Sequence, residues 1–322
     1  MQKPFAIVAC LLILSSIDAY AGPQTTREKA QQKTMNLPGA IEFLRPSVVQ
    51  MVLSLDQLSG SAAAALGGKL FLNLPLGTGF FVNEDGHVVT ARHVVKAFEN
   101  LQIEARKRLF VGMAGPDLEN FRGVSVRATF TQIEFDIVDE DARHDLILLK
   151  LKRNPFKGET GIFMQAGAEK IEWLHKAAIL SPGRPRDGEA VAVSGYPLSS
   201  TVLVTTSGNL ASSWSYEVQE IQVPGAPAWF RMPDVADSYL ADVRVNGGNS
   251  GGPVYSVESA RVIGVCVSFH TAPVQYGNGN QEPVAIGGRP LSYNSGLSDV
   301  VPIGYVIDML KKHNLKWVET AR

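Results

Sequence analysis

The segment of this 322-residue chain best suited to chemistry is Asn246-Gly247-Gly248-Asn249-Ser250-Gly251-Gly252-Pro253. A nucleophilic serine needs a turn that exposes its hydroxyl and backbone N–H groups free to point at a developing oxyanion. Glycines on both sides allow both, with the N–H groups of Gly248 and Ser250 as donors. The hydroxyl also needs a base. Of six histidines, His93 sits where a ring would be held most rigidly. Gly77-Thr78-Gly79-Phe80-Phe81-Val82, a turn at Asn83-Glu84-Asp85-Gly86 and His87-Val88-Val89-Thr90-Ala91-Arg92-His93 read as a hairpin followed by a short helical turn. Small Ala91 leaves room beside the imidazole. The third group is a carboxylate that fixes the tautomer and stabilises the imidazolium. Asp145 stands at the entrance of the strand Leu146 to Leu151, whereas Asp136, Asp139 and Asp141 lie in a more polar stretch and are expected to be solvated. A glycine-rich loop with an incidental serine, or a histidine with a structural role, is the plain alternative for each residue taken alone. Three mutually complementary groups argue against it.

The elements that must position these groups are mostly strands. From Val48 onward, short β-branched or apolar runs alternate with Gly, Asn, Asp and Pro, as at 80–82, 88–90, 146–151, 190–193, 202–206 and 262–267, a pattern that predicts an all-β sandwich or barrel. One helix is predicted at 303–315, where Ile303, Val306, Ile307 and Leu310 recur at helical spacing. Residues 56–75 are expected to be an inserted surface loop. The glycine-rich stretch 271–296 is expected to lack regular structure, and the lapse in pattern at 166–188 predicts a linker.

Thr90-Ala91-x-His93, His144-Asp145-Leu146-x-Leu148-Leu149-Lys150 and Gly248-Asn249-Ser250-Gly251-Gly252-Pro253, in that order, resemble the trypsin-like peptidases, the bacterial HtrA (DegP/DegS) branch above all. The resemblance covers most of residues 40–315 and implies two six-stranded antiparallel β-barrels, about 40–165 and 189–300, with a triad of His93, Asp145 and Ser250 in the cleft between them. It further implies a serine endopeptidase that acts on polypeptides through an acyl-enzyme, with no cofactor and no metal; self-association, as in relatives, stays open. Two departures stand out. The 72 residues after Ser250 leave room for the last strands and a helix, so regulation through PDZ domains is not expected. The pocket positions Arg244, Val245, Val267, Ser268 and Phe269 depart from the family pattern; the apolar lining and missing carboxylate at Val245, Val267, Ser268 and Phe269 predict aliphatic over basic P1 residues, with acidic P1 favoured instead if Arg244 points into the pocket. Asn249 stands where digestive relatives carry an aspartate, so activation by a new N-terminal ammonium is not expected either.

Two rivals deserve weight. Gly248-x-Ser250-x-Gly252, followed by Asp299 and His313, also satisfies the nucleophile elbow of an α/β-hydrolase esterase, yet that elbow should enter a helix and the residues after Pro253 read as a strand. A protease-like scaffold that binds polypeptides without cutting them is the non-enzymatic reading, which labelling by a serine-directed probe would separate.

Composition bounds the rest. With 45% hydrophobic residues and a net charge of −1, the chain has apolar matter for a sizeable core and no global field to draw nucleic acid or anionic membrane. Phe5 to Ile17 is apolar and followed by Asp18-Ala19-Tyr20-Ala21, which predicts a signal peptide 1–21 and an exported, periplasmic or secreted protein with a mobile segment 22–36 before a domain 37–322. The apolar stretch is shorter than the ~20 residues a spanning helix needs, so stable membrane insertion is not expected. Cys10 would leave with the signal. Cys266 then stands alone on an apolar strand and is expected to be inert core.

Overall fold

The computed structural model describes residues 34–56, 71–99, 106–114, 130–156, 162–166, 169–173, 175–200, 202–222, 231–275, 284–286 and 289–319. The expected signal peptide, most of segment 22–36 and residues 57–70 of the expected surface loop lie outside them. The described residues belong to one unit, Thr34–Arg322. It opens with α1 (Leu37–Leu44), whose first turn is held by Asn36, the side chain of which accepts from Gly39 N at 3.0 Å.

Seven strands follow: β1 (Val48–Asp56), β2 (Phe71–Phe81), β3 (His87–Ala91), β4 (Arg106–Ala114), β5 (Phe130–Ile133), β6 (Phe135–Asp141) and β7 (Leu146–Leu151). Their antiparallel sheet has the order β5-β4-β1-β2-β3-β7-β6. Only Glu134 separates β5 from β6, so one stretch of chain pairs with β4 at one edge and with β7 at the other, and the sheet curls on itself. A helix, α2 (Arg92–Glu99), leaves the end of β3.

The expected linker region is not free of strands, because β8 (Ile162–Ala166) and β9 (Glu169–Trp173) form a separate antiparallel pair. The second half is a closed barrel in the order β10-β11-β12-β17-β14-β13, built from β10 (Ala190–Gly195), β11 (Val204–Gln222), β12 (Arg231–Asp242), β13 (Pro253–Ser256), β14 (Val262–Pro273) and β17 (Ser292–Pro302), with the small pair β15 (Ala285–Ile286) and β16 (Arg289–Pro290) between the last two. The ends of β14 and β17 run into the glycine-rich stretch that was expected to be irregular, pairing Thr271 with Asn294 and Pro273 with Ser292. Hairpin hydrogen bonds depend on backbone, and Thr271, Tyr293 and Asn294 are ordinary strand residues flanking the glycines. The residue after Gly252 begins β13, which removes the helix that the esterase reading required. The chain closes with α3 (Ile303–Lys312), three residues shorter than its apolar spacing predicted.

Two of the buried clusters fill the halves. The first sheet encloses Val49, Met51, Phe81, Val88 and Ile147; the closed barrel encloses Val191, Leu210, Tyr239, Val254 and Cys266. A third cluster joins them, with Phe80 and Leu146 from the first sheet, Tyr255 and Val301 from the second, and Val306 and Leu310 from α3. Burial of that size is the main force holding the halves in register. Among the described residues no helix is long and apolar enough to cross a membrane.

Two histidines in this frame are held neutral. His87, 6% exposed, donates its Nδ1–H to Asn83 Oδ1 at 3.0 Å, and burial followed by the charge of Lys150 draws its pKa from 6.5 to about 4. Burial beside Phe81 draws His175 down to about 4 as well. The unfolded chain therefore binds more protons between about pH 6.5 and 4. Their contribution to stability is full above that window, is lost as pH falls through it, and levels off below it, with a slope of at most about 2.7 kcal/mol per pH unit for the two together. Urea midpoints measured across the window should fall with pH, and His175→Leu should flatten the fall. A midpoint indifferent to pH there would contradict the assignment.

Candidate active site

Asp145 immediately precedes β7, and its backbone takes the left-handed conformation (φ 54°) that L residues seldom adopt. That conformation turns the residue toward the start of α2. Its carbonyl accepts from Arg92 N at 2.8 Å, its Oδ1 accepts from His93 N at 2.8 Å, and its Oδ2 lies 2.5 Å from His93 Nδ1. Asp145 thus satisfies two helix-start N–H groups, Arg92 N through its carbonyl and His93 N through the carboxylate that also fixes the imidazole. The pair remains within reach of solvent and substrate, at 48% and 34% side-chain exposure. Behind it, His144 bonds Asp141 Oδ2 at 2.7 Å through Nδ1 and stacks on Tyr305 with ring centroids 3.6 Å apart. The carboxylates expected to be solvated divide: Asp136 is open, Asp141 holds His144, and Asp139 is largely covered and bonded to Lys312 of α3 at 2.9 Å.

Ser250 arrives from the other half. The turn that carries it is closed by Asn249 N to Asn246 O at 3.0 Å and Gly252 N to Asn249 O at 2.8 Å. Glycine is required at two places. Gly248 (φ 102°) and Gly251 (φ 84°) are left-handed, and a Cβ would sit 2.3 Å from Tyr196 O at the first and 2.2 Å from both Thr78 O and Thr90 Oγ1 at the second. Among the described residues, neither Gly248 N nor Ser250 N donates a hydrogen bond. Ser250 Oγ contacts Val267 O at 3.4 Å, long for a hydroxyl bond.

Thr78 joins the two halves. Fully buried on β2, it receives Tyr196 N on Oγ1 at 3.0 Å and donates that hydroxyl to Gly248 O at 2.6 Å. Its N–H donates to Ser250 O at 2.9 Å, and its carbonyl accepts from Thr90 Oγ1 at 2.6 Å. The carbonyls of Gly248 and Ser250 are thereby tied to β2, the strand beside β3, which leads into the helix that carries His93. Sequence reading placed Thr78 in a hairpin and gave it no role; a hydroxyl between two glycines was the one available signal.

The five pocket positions separate. Arg244 is exposed, while Val245 is 1% exposed in the core of the closed barrel, where its carbonyl accepts from Asn294 Nδ2. Val267 packs against both halves, and Ser268 and Phe269 are exposed on β14. Cys266 is fully buried, and burial pushes its thiol up to about 12, so it is chemically quiet. Among the described residues no group of three His, Cys, Asp or Glu side chains could hold a metal ion.

A fold of one curled and one closed antiparallel sheet, with these groups where the halves meet, matches a known class. The family model described as "Trypsin-like peptidase domain" matches residues 77–265, and the chain belongs to that family. Its relatives include HtrA-type proteins. It is 26% identical over 230 residues to "Serine protease HTRA1" of Xenopus laevis, covering 69% of this chain and 39% of that protein. It is 22% identical over 244 residues to "Probable periplasmic serine endoprotease DegP-like" of Rickettsia conorii, covering 74% and 34%. The chain thus spans about two fifths or less of these relatives. Among solved structures, the active form of the Rv3671c protease from M. tuberculosis aligns with a TM-score of 0.50 at 17% identity over 94% of this chain and 96% of that one. AlgW, an HtrA-type protease with a decapeptide, aligns with a TM-score of 0.50 at 15% identity over 86% and 67%. Both likenesses concern the fold.

Proposed function

We propose that the protein is a serine endopeptidase that cleaves polypeptides, with Ser250 as nucleophile, His93 as general base and acid, and Asp145 as the group that orients His93. The observation that carries this reading is the doubly tied Thr78, which brings the turn carrying the free Gly248 and Ser250 N–H groups against the sheet that presents the His93–Asp145 pair. In the reaction, Ser250 Oγ leaves Val267 O and gives its proton to His93 Nε2 as it attacks the scissile carbonyl. The N–H groups of Gly248 and Ser250 receive the oxyanion, His93 protonates the departing amine, and water then releases the acyl group by the same steps. Val267 O, freed from the serine, accepts the N–H of the P1 residue, and the substrate extends β14 as an added antiparallel strand. Catalysis proceeds without a cofactor.

The expected site of action is outside the cytoplasm, on the strength of the leader-like residues 1–21 and of a relative whose name places it in the periplasm. A fluorophosphonate probe should label the protein at Ser250, and Ser250→Ala should abolish the label. An unlabelled wild type that binds unfolded protein would favour the non-cutting scaffold instead.

A further inference from the structure

Beyond the reacting groups, β14 carries a second polar constellation. Ser268 and Asp299 are cross-strand partners on β14 and β17, and Ser268 Oγ donates to Asp299 Oδ2 at 2.5 Å. His270, two residues further on the same face, places Nε2 2.9 Å from Asp299 Oδ1. The Asp299 side chain is 16% exposed and His270 50%. Among the described residues no Lys or Arg pairs with Asp299, and each of its carboxylate oxygens keeps a lone pair free.

Backbone directions place this constellation beside the nucleophile. Cys266 closes one side of β14 against Gly251 and Gly252, through Gly251 N to Cys266 O at 2.7 Å and Cys266 N to Gly252 O at 2.9 Å. Beyond it β14 pairs only with β17 among the described residues, and the opposite edge is open. Val267 O faces Ser250, whereas His270 O is taken by Ser295 Oγ on the β17 side. The register shift at Val267 puts its carbonyl on the same side as that of Cys266, and alternation from Val267 onward, consistent with His270 O on the β17 side, turns Phe269 toward the open edge as well. An antiparallel substrate whose P1 residue sits opposite Val267 has P2 opposite Ser268, P3 opposite Phe269 and P4 opposite His270. Directly opposed side chains share a face, so those of P2 and P4 fall on the Ser268–Asp299–His270 face.

We propose that Asp299, held by Ser268 and His270, forms a subsite that favours basic or hydrogen-bond-donating side chains at P2 and P4 of the substrate and disfavours acidic ones. This rests on the peptidase reading and adds a substrate class to it: segments with Lys or Arg shortly before the cleaved bond. His270, donating Nε2–H to Asp299, presents Nδ1 as a second acceptor. A neutral donor such as Asn or Ser is served by the same oxygens, while Glu or Asp would bring like charge against a carboxylate with little water around it.

The test is a fluorogenic peptide series with P1 fixed and P2 and P4 scanned. The ratio of kcat/KM for Lys over Glu at the preferred position should be roughly three- to tenfold above unity, the scale of one partly covered ion pair. It should shrink as ionic strength rises and fall to about unity in Asp299→Asn. A flat or acid-favouring profile, or a preference that survives Asp299→Asn, overturns the proposal; the salt dependence keeps it testable should that variant not fold. The same Lys and Glu peptides, labelled and titrated against Ser250→Ala, separate the subsite from the chemistry. Tighter binding of the Lys peptide supports the subsite even if no peptide is cleaved, and equal affinities sink it even if peptides are cleaved.

Discussion

Replacing Ser250 by Ala, or His93 by Ala, lowers kcat on an unfolded polypeptide such as casein by up to about a millionfold while the fold is kept. Triad members act as a unit, so loss of either leaves only the contribution of the oxyanion donors and of substrate binding. Neither change opens the core, because Ser250 is half-buried and its hydroxyl makes one long contact, and His93 is half-exposed. Asp145→Asn should cost about 10⁴-fold through the wrong imidazole tautomer. It should also loosen α2, since Oδ1 and Oδ2 serve His93 N and Nδ1 together. Circular dichroism and thermal melts would confirm folding, and casein turnover with active-site titration would give the rates. Ordinary turnover by the serine variant would remove the catalytic assignment.

Thr78→Val is expected to lower kcat by roughly a hundredfold with a smaller change in KM. Valine nearly matches threonine in shape, so the packing of β2 survives, but the two bonds of Oγ1 are lost. Gly248 O and Tyr196 N are then left without the partner they have on the strand, at about 1–3 kcal/mol for each group that finds no other. With Gly248 O released from the strand, the Gly247–Gly248 peptide, which carries the Gly248 N–H, is the easiest element to reorient, because glycine tolerates the alternatives. Rotation there would withdraw a donor from the oxyanion, a loss worth about 10²–10³ in rate. Thr78→Ser, which keeps the hydroxyl, should recover most of the activity, and this separates positioning from bulk destabilisation. The Tm should fall by several degrees in the valine variant. Full activity in Thr78→Val would show that the turn holds itself without the strand.

The chemistry of this chain was largely written in short segments. Glycines flanking Ser250 declare an unusual turn because left-handed backbone and close approach need them, and both Gly248 and Gly251 occupy such conformations. The hairpin ahead of His93 was legible because Asn83 to Gly86 carry turn chemistry and the flanking runs are apolar. Asp145 could be placed at a strand entrance because Leu146 to Leu151 form an apolar run interrupted only by Lys150. Family motifs then set these segments in an order that no local pattern provides.

What only the tertiary structure decided are properties of pairing between distant segments. The curl of the first sheet depends on β5 and β6, one stretch with a break of one residue, pairing with β4 on one side and β7 on the other, which leaves no mark in composition. Thr78 became the tie between the halves because β2 packs beneath a turn far along the chain. Val245 proved to be core of the closed barrel, and the β14–β17 register, which shifts between Cys266 and Ser268, set Asp299 opposite Ser268. A slip of one residue exchanges the two faces of a strand, so which side chains meet a substrate is fixed by the register of distant strands. Local sequence dictates which residues can react; long-range burial dictates which of them meet.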